Sequence, residues 1–217
     1  MEYSRSDLDL LLWPRNWHKR LSNVALTLIP GVVIVGFFDM LASPDSILTD
    51  FLLTGDPGVP FKLLLFTVCA VFIGLLDVFC FAWPIADFCR YLAKRGEKFI
   101  SPGFNIVLMK SYAYSHIVFL PILLLTTPTG LQFENIGSGT PFLSRMIVFI
   151  IIILIYTQIY WQLGIMLRTV SVKSKLEYSK KLIIAAVMLL WANLSGTAIH
   201  FLIRGAYRLF EALEKTS

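Results

Sequence analysis

The feature that most constrains this chain is a series of five apolar runs, each close to the length that a lipid bilayer requires. A helix that rises ~1.5 Å per residue needs roughly 20 residues to cross a hydrocarbon core of ~30 Å. The runs lack the alternation of apolar and polar residues that a membrane β-barrel needs. They occupy residues 24–41, 61–84, 105–127, 146–167 and 182–203. The pattern predicts an all-α membrane helical bundle with five transmembrane helices.

The composition agrees with a membrane protein and leaves little room for anything else. Of the 217 residues, 57% are hydrophobic and only 15% are charged, whereas a soluble domain carries about 25% charged residues. The apolar runs consume most of the length, so residues 1–217 are expected to form a single membrane domain. We find no signal peptide, lipidation signal or internal repeat.

The ends of the chain and one connection have an amphipathic character. Residues 1–22 combine Trp13 and Trp17 with several cations, and Pro14 is expected to break or restart a short helix there. This composition predicts an interfacial segment at the lipid headgroups, with a flexible tail as the alternative. After the second run, a helical extension is expected to end at Gly96 or at 101–103. A short separate helix is predicted over 207–215.

The distribution of Lys and Arg predicts the orientation. Residues 1–22 contain four Lys or Arg, the connection after the second run contains four, and the connection after the fourth run contains five. The interiors of the other two connections contain none. The positive-inside rule therefore predicts a cytoplasmic N-terminus and an external C-terminus. A fifth segment that returns as a hairpin, with a cytoplasmic tail, is the alternative.

Motifs for catalysis or cofactor binding are absent. The sequence has no nucleotide-binding, zinc-protease or serine-hydrolase fingerprint. Its three cysteines, Cys69, Cys80 and Cys89, have no spacing that suits zinc and are expected to be small buried side chains. We therefore expect a non-enzymatic protein without a cofactor or a metal ion. The basic connections are better explained by topology and anionic lipids than by nucleic acid.

Asp77 is the polar residue of greatest interest, since it lies deep inside the second apolar run. A carboxylate in lipid is costly, so it should face other helices, a partner charge or a water-filled cavity. Lys110, on the neighbouring run, is a candidate partner. An ion pair between them would be either a structural lock or part of a proton or ligand site, and we favour the lock.

Four further polar residues lie in the apolar runs. His116 and His200 are not on neighbouring runs and lack a His or carboxylate three or four residues further on, so hydrogen bonds to backbone or hydroxyl groups are expected rather than metal binding. Gln158 and Gln162 are four residues apart and share a helix face. They are expected to form interhelical hydrogen bonds, with a polar cavity as the alternative.

The two basic connections are expected to form a cytoplasmic contact face for a protein partner. The cations that would compose it are Arg90, Lys94, Arg95, Lys98, Lys173, Lys175, Lys180 and Lys181.

Three stretches together resemble the Yip-domain family of five-helix membrane proteins. They are LLLWPRNWHKRLSN (10–23), SPGFNIVLMKSYAYSHIVFLPILLL (101–125) and YWQLGIMLRTVSVKSKLEYSKKLII (160–184). The resemblance implies a helical bundle with a cytoplasmic N-terminus, no enzymatic activity and action through protein contacts. Eukaryotic members act in vesicle traffic with Rab-type GTPases. This chain lacks their long N-terminal domain and their Asp-Leu-x-Gly-Pro-like signature, and is more similar to the short prokaryotic members.

Two functional hypotheses follow from these observations. The first is a non-enzymatic scaffold or adaptor that is embedded in the bilayer, contacts one or more protein partners and is able to self-associate. The second is a small transporter or channel subunit with a polar cavity around Asp77. An intramembrane enzyme is the least favoured. In a prokaryote the location would be the cell membrane, as a multi-pass protein.

Overall fold

The computed structural model describes residue 9 and residues 11–41, 59–121, 141–174 and 176–214, and these are helical without any strand. The described residues include two 3-10 turns, Ala25–Leu28 and His116–Phe119. The helices are α1 Arg15–Arg20, α2 Ile29–Leu41, α3 Val59–Arg95, α4 Phe104–Ser115, α5 Phe142–Ser174 and α6 Tyr178–Glu214. The predicted all-α class is therefore confirmed.

Three helices are long and apolar enough to cross a membrane. They are Val59–Arg95, Phe142–Ser174 and the part Tyr178–Leu209 of α6, and Ala25–Leu41 is a shorter apolar helical segment. The third predicted span, 105–127, begins as α4 and its 3-10 turn, and its last residues lie outside the described part of the chain. The count of five spans and the orientation stay predictions.

Two predicted helix boundaries are wrong, and both helices are longer than expected. Residues 168–174, predicted as part of a loop, continue α5, because Thr169, Val170 and Ser174 are fully buried and held against the bundle. The separate helix predicted over 207–215 is instead the end of α6. Ile199, Ile203 and Tyr207 recur every four residues on one face of α6 and pack in one buried cluster, so an uninterrupted helix keeps them together. The predicted extension of α3 to Gly96 is confirmed.

Helices α2 and α3 run antiparallel and cross with their backbones in contact. Early residues of α2 share a core with late residues of α3, whereas Met40 at the end of α2 packs with Phe66 and Ala70 near the start of α3. A Cβ atom added to Gly36 would lie 1.7 Å from the Ala70 carbonyl oxygen, and one added to Gly74 would lie 2.2 Å from the Val32 carbonyl oxygen. Only glycine permits this approach, as at other membrane helix crossings.

Helix α4 occupies the centre of the bundle. Nine of its twelve residues are buried, although its sequence contains lysine, serine and tyrosine side chains. Buried polar groups require partners inside the protein. The polar face of α4 therefore indicates where its neighbours must supply hydrogen bonds, and the N-terminal segment supplies several of them.

The N-terminal segment docks against α4 and α5 through polar contacts. Pro14 restarts the chain as α1, one of the two predicted outcomes. The fully buried His18 lies 2.9 Å from the Leu12 carbonyl oxygen through Nε2 and 2.8 Å from Thr169 Oγ1 through Nδ1. Thr169 Oγ1 is in turn 2.6 Å from Ser111 Oγ. The carbonyl requires Nε2 to donate, so the neutral ring accepts the Thr169 hydroxyl at Nδ1.

This arrangement makes the docking of the N-terminal segment sensitive to acid. Burial, assisted by the nearby Arg168, lowers the pKa of His18 below its ordinary value. Between the two pKa values the unfolded chain binds more protons than the folded chain, so stability falls as the pH drops below about 6.5 and levels off below the folded pKa. We expect the melting temperature of the detergent-solubilised protein to fall between pH 7.5 and 5, and to fall less in His18→Gln. Equal pH dependence in the two proteins would contradict this assignment.

Candidate functional site

Asp77 lies inside the bundle, midway along α3. Its side chain is almost completely buried, and its Oδ2 accepts a hydrogen bond of 2.6 Å from the Tyr112 hydroxyl of α4. Tyr112 is held in place by its ring, which stacks on Phe81 with centroids 4.3 Å apart. The carboxylate is thus oriented by a side chain that is itself fixed by packing.

The predicted pairing of Asp77 with Lys110 is wrong. Lys110 is buried, but its Nζ donates to the carbonyl oxygen of Ser22 at 2.7 Å and to the Ser22 hydroxyl at 2.9 Å. Lys110 and Tyr112 are two residues apart on α4 and therefore point in different directions, and Tyr112 is the one that reaches Asp77. Lys110 therefore holds the N-terminal segment and does not neutralise the carboxylate.

Asp39, which the sequence pattern does not single out, lies beside Asp77. Asp39 and Asp77 follow Gly36 and Gly74 by three residues each, at the crossing of α2 and α3. Side chains of a helix tilt toward its N-terminus. Because the two helices run in opposite directions, both carboxylates point back toward the crossing and approach each other. The Oδ2 atom of Asp39 is buried and has no hydrogen-bond partner among the described residues.

His116 completes a cluster of three side chains that can bind a metal ion. One ligand atom each from Asp39, Asp77 and His116 lies within 4.8 Å of the others, and His116 Nε2 is 3.9 Å from Asp77 Oδ2. His116 Nδ1 donates to the Tyr112 carbonyl oxygen at 3.0 Å. The lone pair of the neutral ring is therefore on Nε2, the atom nearest Asp77. The expected hydrogen bond of His116 to backbone is present, but the carboxylates come from other helices.

The cluster lies in a pocket of about 300 Å³ to which helices α2 to α6 and the 3-10 turn after α4 contribute. Gln162 of α5 lines it, and its amide lies 3.1 Å from His116 Nδ1; because this nitrogen carries the ring proton, the amide must turn its oxygen toward it. His200 and Gly196 line it from α6, and Phe119, Ile199 and Ile203 make part of the wall apolar. Gln158 does not line this pocket, and its amide donates an interhelical hydrogen bond of 2.9 Å to the Val118 carbonyl oxygen. The structure thus brings together four of the six predicted polar residues: Asp77, His116, Gln162 and His200.

The predicted basic residues gather at one end of the bundle but differ in what they contact. Lys173 donates to the carbonyl oxygens of Lys19 and Leu21, and Arg90 contacts Asp87, Asn105 and the Pro102 carbonyl oxygen. Both cations therefore form hydrogen bonds with other groups of the chain. Lys94, Arg95 and Lys98 are exposed, whereas Lys180 and Lys181 are half-buried. Lys175 lies outside the described residues.

One surface pocket connects the two basic stretches. It has a volume of about 410 Å³ and is lined by Glu97, Lys98, Phe99, Ser101 and Lys173. The Phe99 side chain is 82% exposed, which is unusual for an aromatic residue in a charged connection. Aromatic residues are enriched at protein contact sites.

Comparisons with known proteins do not assign this arrangement to a family. No protein-family model, no curated protein and no solved structure matches the chain. The function is therefore inferred from the geometry of the pocket and from the sequence patterns.

Proposed function

We propose that this chain is a small membrane transport protein or channel subunit that binds a cation in the polar pocket around Asp77. The observation that carries this proposal is the convergence of the carboxylates of Asp39 and Asp77 with His116 within the helical bundle. Ionisable side chains at membrane depth are costly and are typical of ion and proton pathways.

The charges in the pocket favour a cation over an anion or a neutral solute. Two acidic side chains line it, and no Lys or Arg does so among the described residues. Lys110 is a buried cation, but it contacts Ser22 and not the pocket. Two carboxylates this close repel each other strongly in a medium of low dielectric constant, and a bound cation relieves that repulsion.

We infer the finer topology from the charge pattern alone. Five spans with the N-terminus inside and the C-terminus outside agree with the alternation of Lys and Arg between connections. This topology places the two basic connections, after the second and fourth runs, on the cytoplasmic side. In a prokaryotic cell the protein would then reside in the cell membrane.

The proposal predicts cation flux that depends on Asp77. Purified protein is reconstituted into liposomes, and the flux of protons, Na⁺, K⁺ and divalent cations is measured with trapped fluorescent indicators. We expect flux of at least one cation above that of empty liposomes, and a loss of about tenfold or more in Asp77→Asn. Glu177→Gln is the matched control, since Glu177 is exposed between α5 and α6 and should leave flux unchanged.

Two results would reject the transport proposal. The first is that liposomes containing the wild-type protein are no more permeable than empty liposomes to every cation tested. The second is unchanged flux in Asp77→Asn when that variant elutes and melts like the wild type.

A scaffold or adaptor that acts through cytoplasmic protein contacts is the second candidate, favoured by the exposed Phe99 beside Lys98 and by the resemblance to Yip-domain proteins. Such a protein would contact an acidic partner at this end of the bundle or form a homo-oligomer. It would show no flux, would retain its partner in Asp77→Asn, and would copurify with that partner in mild detergent. The same preparation used for reconstitution therefore separates the two candidates.

A further inference from the structure

The three clustered side chains form an unusual donor set for the interior of a membrane bundle. Asp39, Asp77 and His116 supply two carboxylate oxygens and one imidazole nitrogen from three different helical segments. We propose that they bind a divalent first-row transition metal ion, such as Zn²⁺, and that this ion is the cation of the proposed function. The proposal goes further than the transport proposal on which it rests, because it names the ligands and the ion class.

The distances are close to those of a metal site. Metal–ligand bonds of about 2.0–2.2 Å place tetrahedral ligands about 3.3–3.6 Å apart. His116 Nε2 and Asp77 Oδ2 are 3.9 Å apart, and the whole group lies within 4.8 Å. Displacements of the ligand atoms by about 1 Å, through side-chain rotation, would bring all three within bonding distance of one metal ion. No movement of a helix is required.

The groups around the ligands hold them in the form that a metal needs. Metal-binding histidines almost always donate the other ring N–H to a carbonyl or carboxylate oxygen. His116 does so through Nδ1 to the Tyr112 carbonyl oxygen, which leaves Nε2 as the coordinating atom. The Tyr112 hydroxyl donates to Asp77 Oδ2. Tyr112 therefore orients two of the three ligands, one by its backbone and one by its side chain.

An independent observation also indicates a missing ligand. Asp39 Oδ2 is inaccessible to solvent, lines the wall of the pocket and accepts no hydrogen bond from the described residues. A buried carboxylate oxygen normally has a partner, and one without a partner calls for an unseen ion or water. A metal ion between Asp39 and Asp77 would satisfy this oxygen and neutralise both charges.

The donor set selects the class of ion. Ca²⁺ and Mg²⁺ prefer six or more oxygen ligands, whereas an imidazole nitrogen with carboxylates suits Zn²⁺ and its first-row neighbours. Three protein ligands leave a position for water or for His200, which lines the same pocket. A site with an open position exchanges its ion more readily than a closed structural site.

The test is direct metal binding to the full-length protein in detergent. After removal of metals, Zn²⁺ is titrated by calorimetry, and Co²⁺ is followed by its visible absorption. We expect one Zn²⁺ per chain, and a dissociation constant raised at least tenfold in Asp39→Asn and in His116→Gln. Glu177→Gln should bind like the wild type, and a hundredfold excess of Mg²⁺ should not displace Zn²⁺. Loss of a nitrogen ligand in His116→Gln should also alter the Co²⁺ spectrum.

The outcomes separate this inference from the transport proposal. Stoichiometric Zn²⁺ binding that depends on Asp39 and His116, without flux, would support the metal site and reject transport. Flux of another cation that depends on Asp77, without Zn²⁺ binding, would overturn the metal site and leave transport standing. Zn²⁺ binding that is unchanged in both ligand variants would also overturn the site. The elution volume and melting temperature of each variant are compared with those of the wild type. If one of the two ligand variants misfolds, the other one decides the test.

Discussion

Replacing Gly36 with alanine is expected to destabilise the protein severely. The added Cβ atom would lie 1.7 Å from the Ala70 carbonyl oxygen and 3.0 Å from the Gly74 backbone nitrogen. Both neighbours are backbone atoms of α3, so no side chain can rotate away, and the helices must separate. Overpacking of a core costs typically about 1–3 kcal/mol and more when backbone must move. We expect a loss of at least about 3 kcal/mol and a melting temperature lowered by at least about 6 °C.

The matched control is Gly205→Ala, which is not expected to lower the stability of the protein. Gly205 lies within α6, and a Cβ atom added there meets no heavy atom within 4 Å. Alanine is favoured over glycine in a helix by up to about 1 kcal/mol, so Gly205→Ala should be neutral or slightly stabilising. Thermal unfolding of both variants in the same detergent makes the comparison. If Gly36→Ala melts like Gly205→Ala, the backbone contact of α2 with α3 is not as described.

The crossing at Gly36 also determines whether the cluster of acidic side chains can form. Asp39 and Asp77 approach only because α2 and α3 are in backbone contact a single turn away. A variant that separates the helices should therefore lose cation binding together with stability. Gly36→Ala is therefore expected to lower both stability and cation binding, whereas Asp77→Asn removes a ligand and leaves the crossing intact.

Periodicity and hydropathy predicted the helices but not their partners. Apolar runs identified α2 to α6, because a helix buries apolar surface wherever it packs. They ended the last run at residue 203 and predicted a separate helix over 207–215, whereas α6 is continuous to Glu214. That continuation depends on contacts with distant residues, such as the hydrogen bond of 2.6 Å from the Tyr207 hydroxyl to the Met40 carbonyl oxygen.

The site was predicted only in part, for a related reason. Asp77 was identified because a carboxylate deep in an apolar run is unusual by itself. Asp39 lies near the end of its run, where an acidic residue is ordinary. A metal role for His116 was disfavoured because no ligand follows it at three or four residues, yet both carboxylates that approach it come from α2 and α3. Spacing along one helix does not report on ligands that three segments contribute.

The second large effect is expected at Lys110, which fastens the N-terminal segment. Its Nζ donates to the Ser22 carbonyl oxygen and hydroxyl, while Lys173 donates to the carbonyl oxygens of Lys19 and Leu21. Two ammonium groups thus bind the carbonyl oxygens at and beyond the C-terminus of α1, where cations also interact favourably with the helix dipole. Lys110 is 2% exposed, so water does not readily replace its contacts.

Lys110→Met preserves the length and most of the volume of the side chain while removing its charge and its donors. Loss of the two hydrogen bonds from the charged Lys110 donor to Ser22 should cost about 1.5–3 kcal/mol in docking of the segment, which is roughly a tenfold or greater rise in its undocked population. We expect native trypsin cleavage after the exposed Lys19 and Arg20 to accelerate about tenfold, as followed by mass spectrometry. Lys94→Met, at an exposed position on α3, should be cleaved at these sites at the wild-type rate. Equal cleavage rates in all three proteins would mean that Lys110 does not hold the segment, and that docking depends on His18 and Thr169 instead.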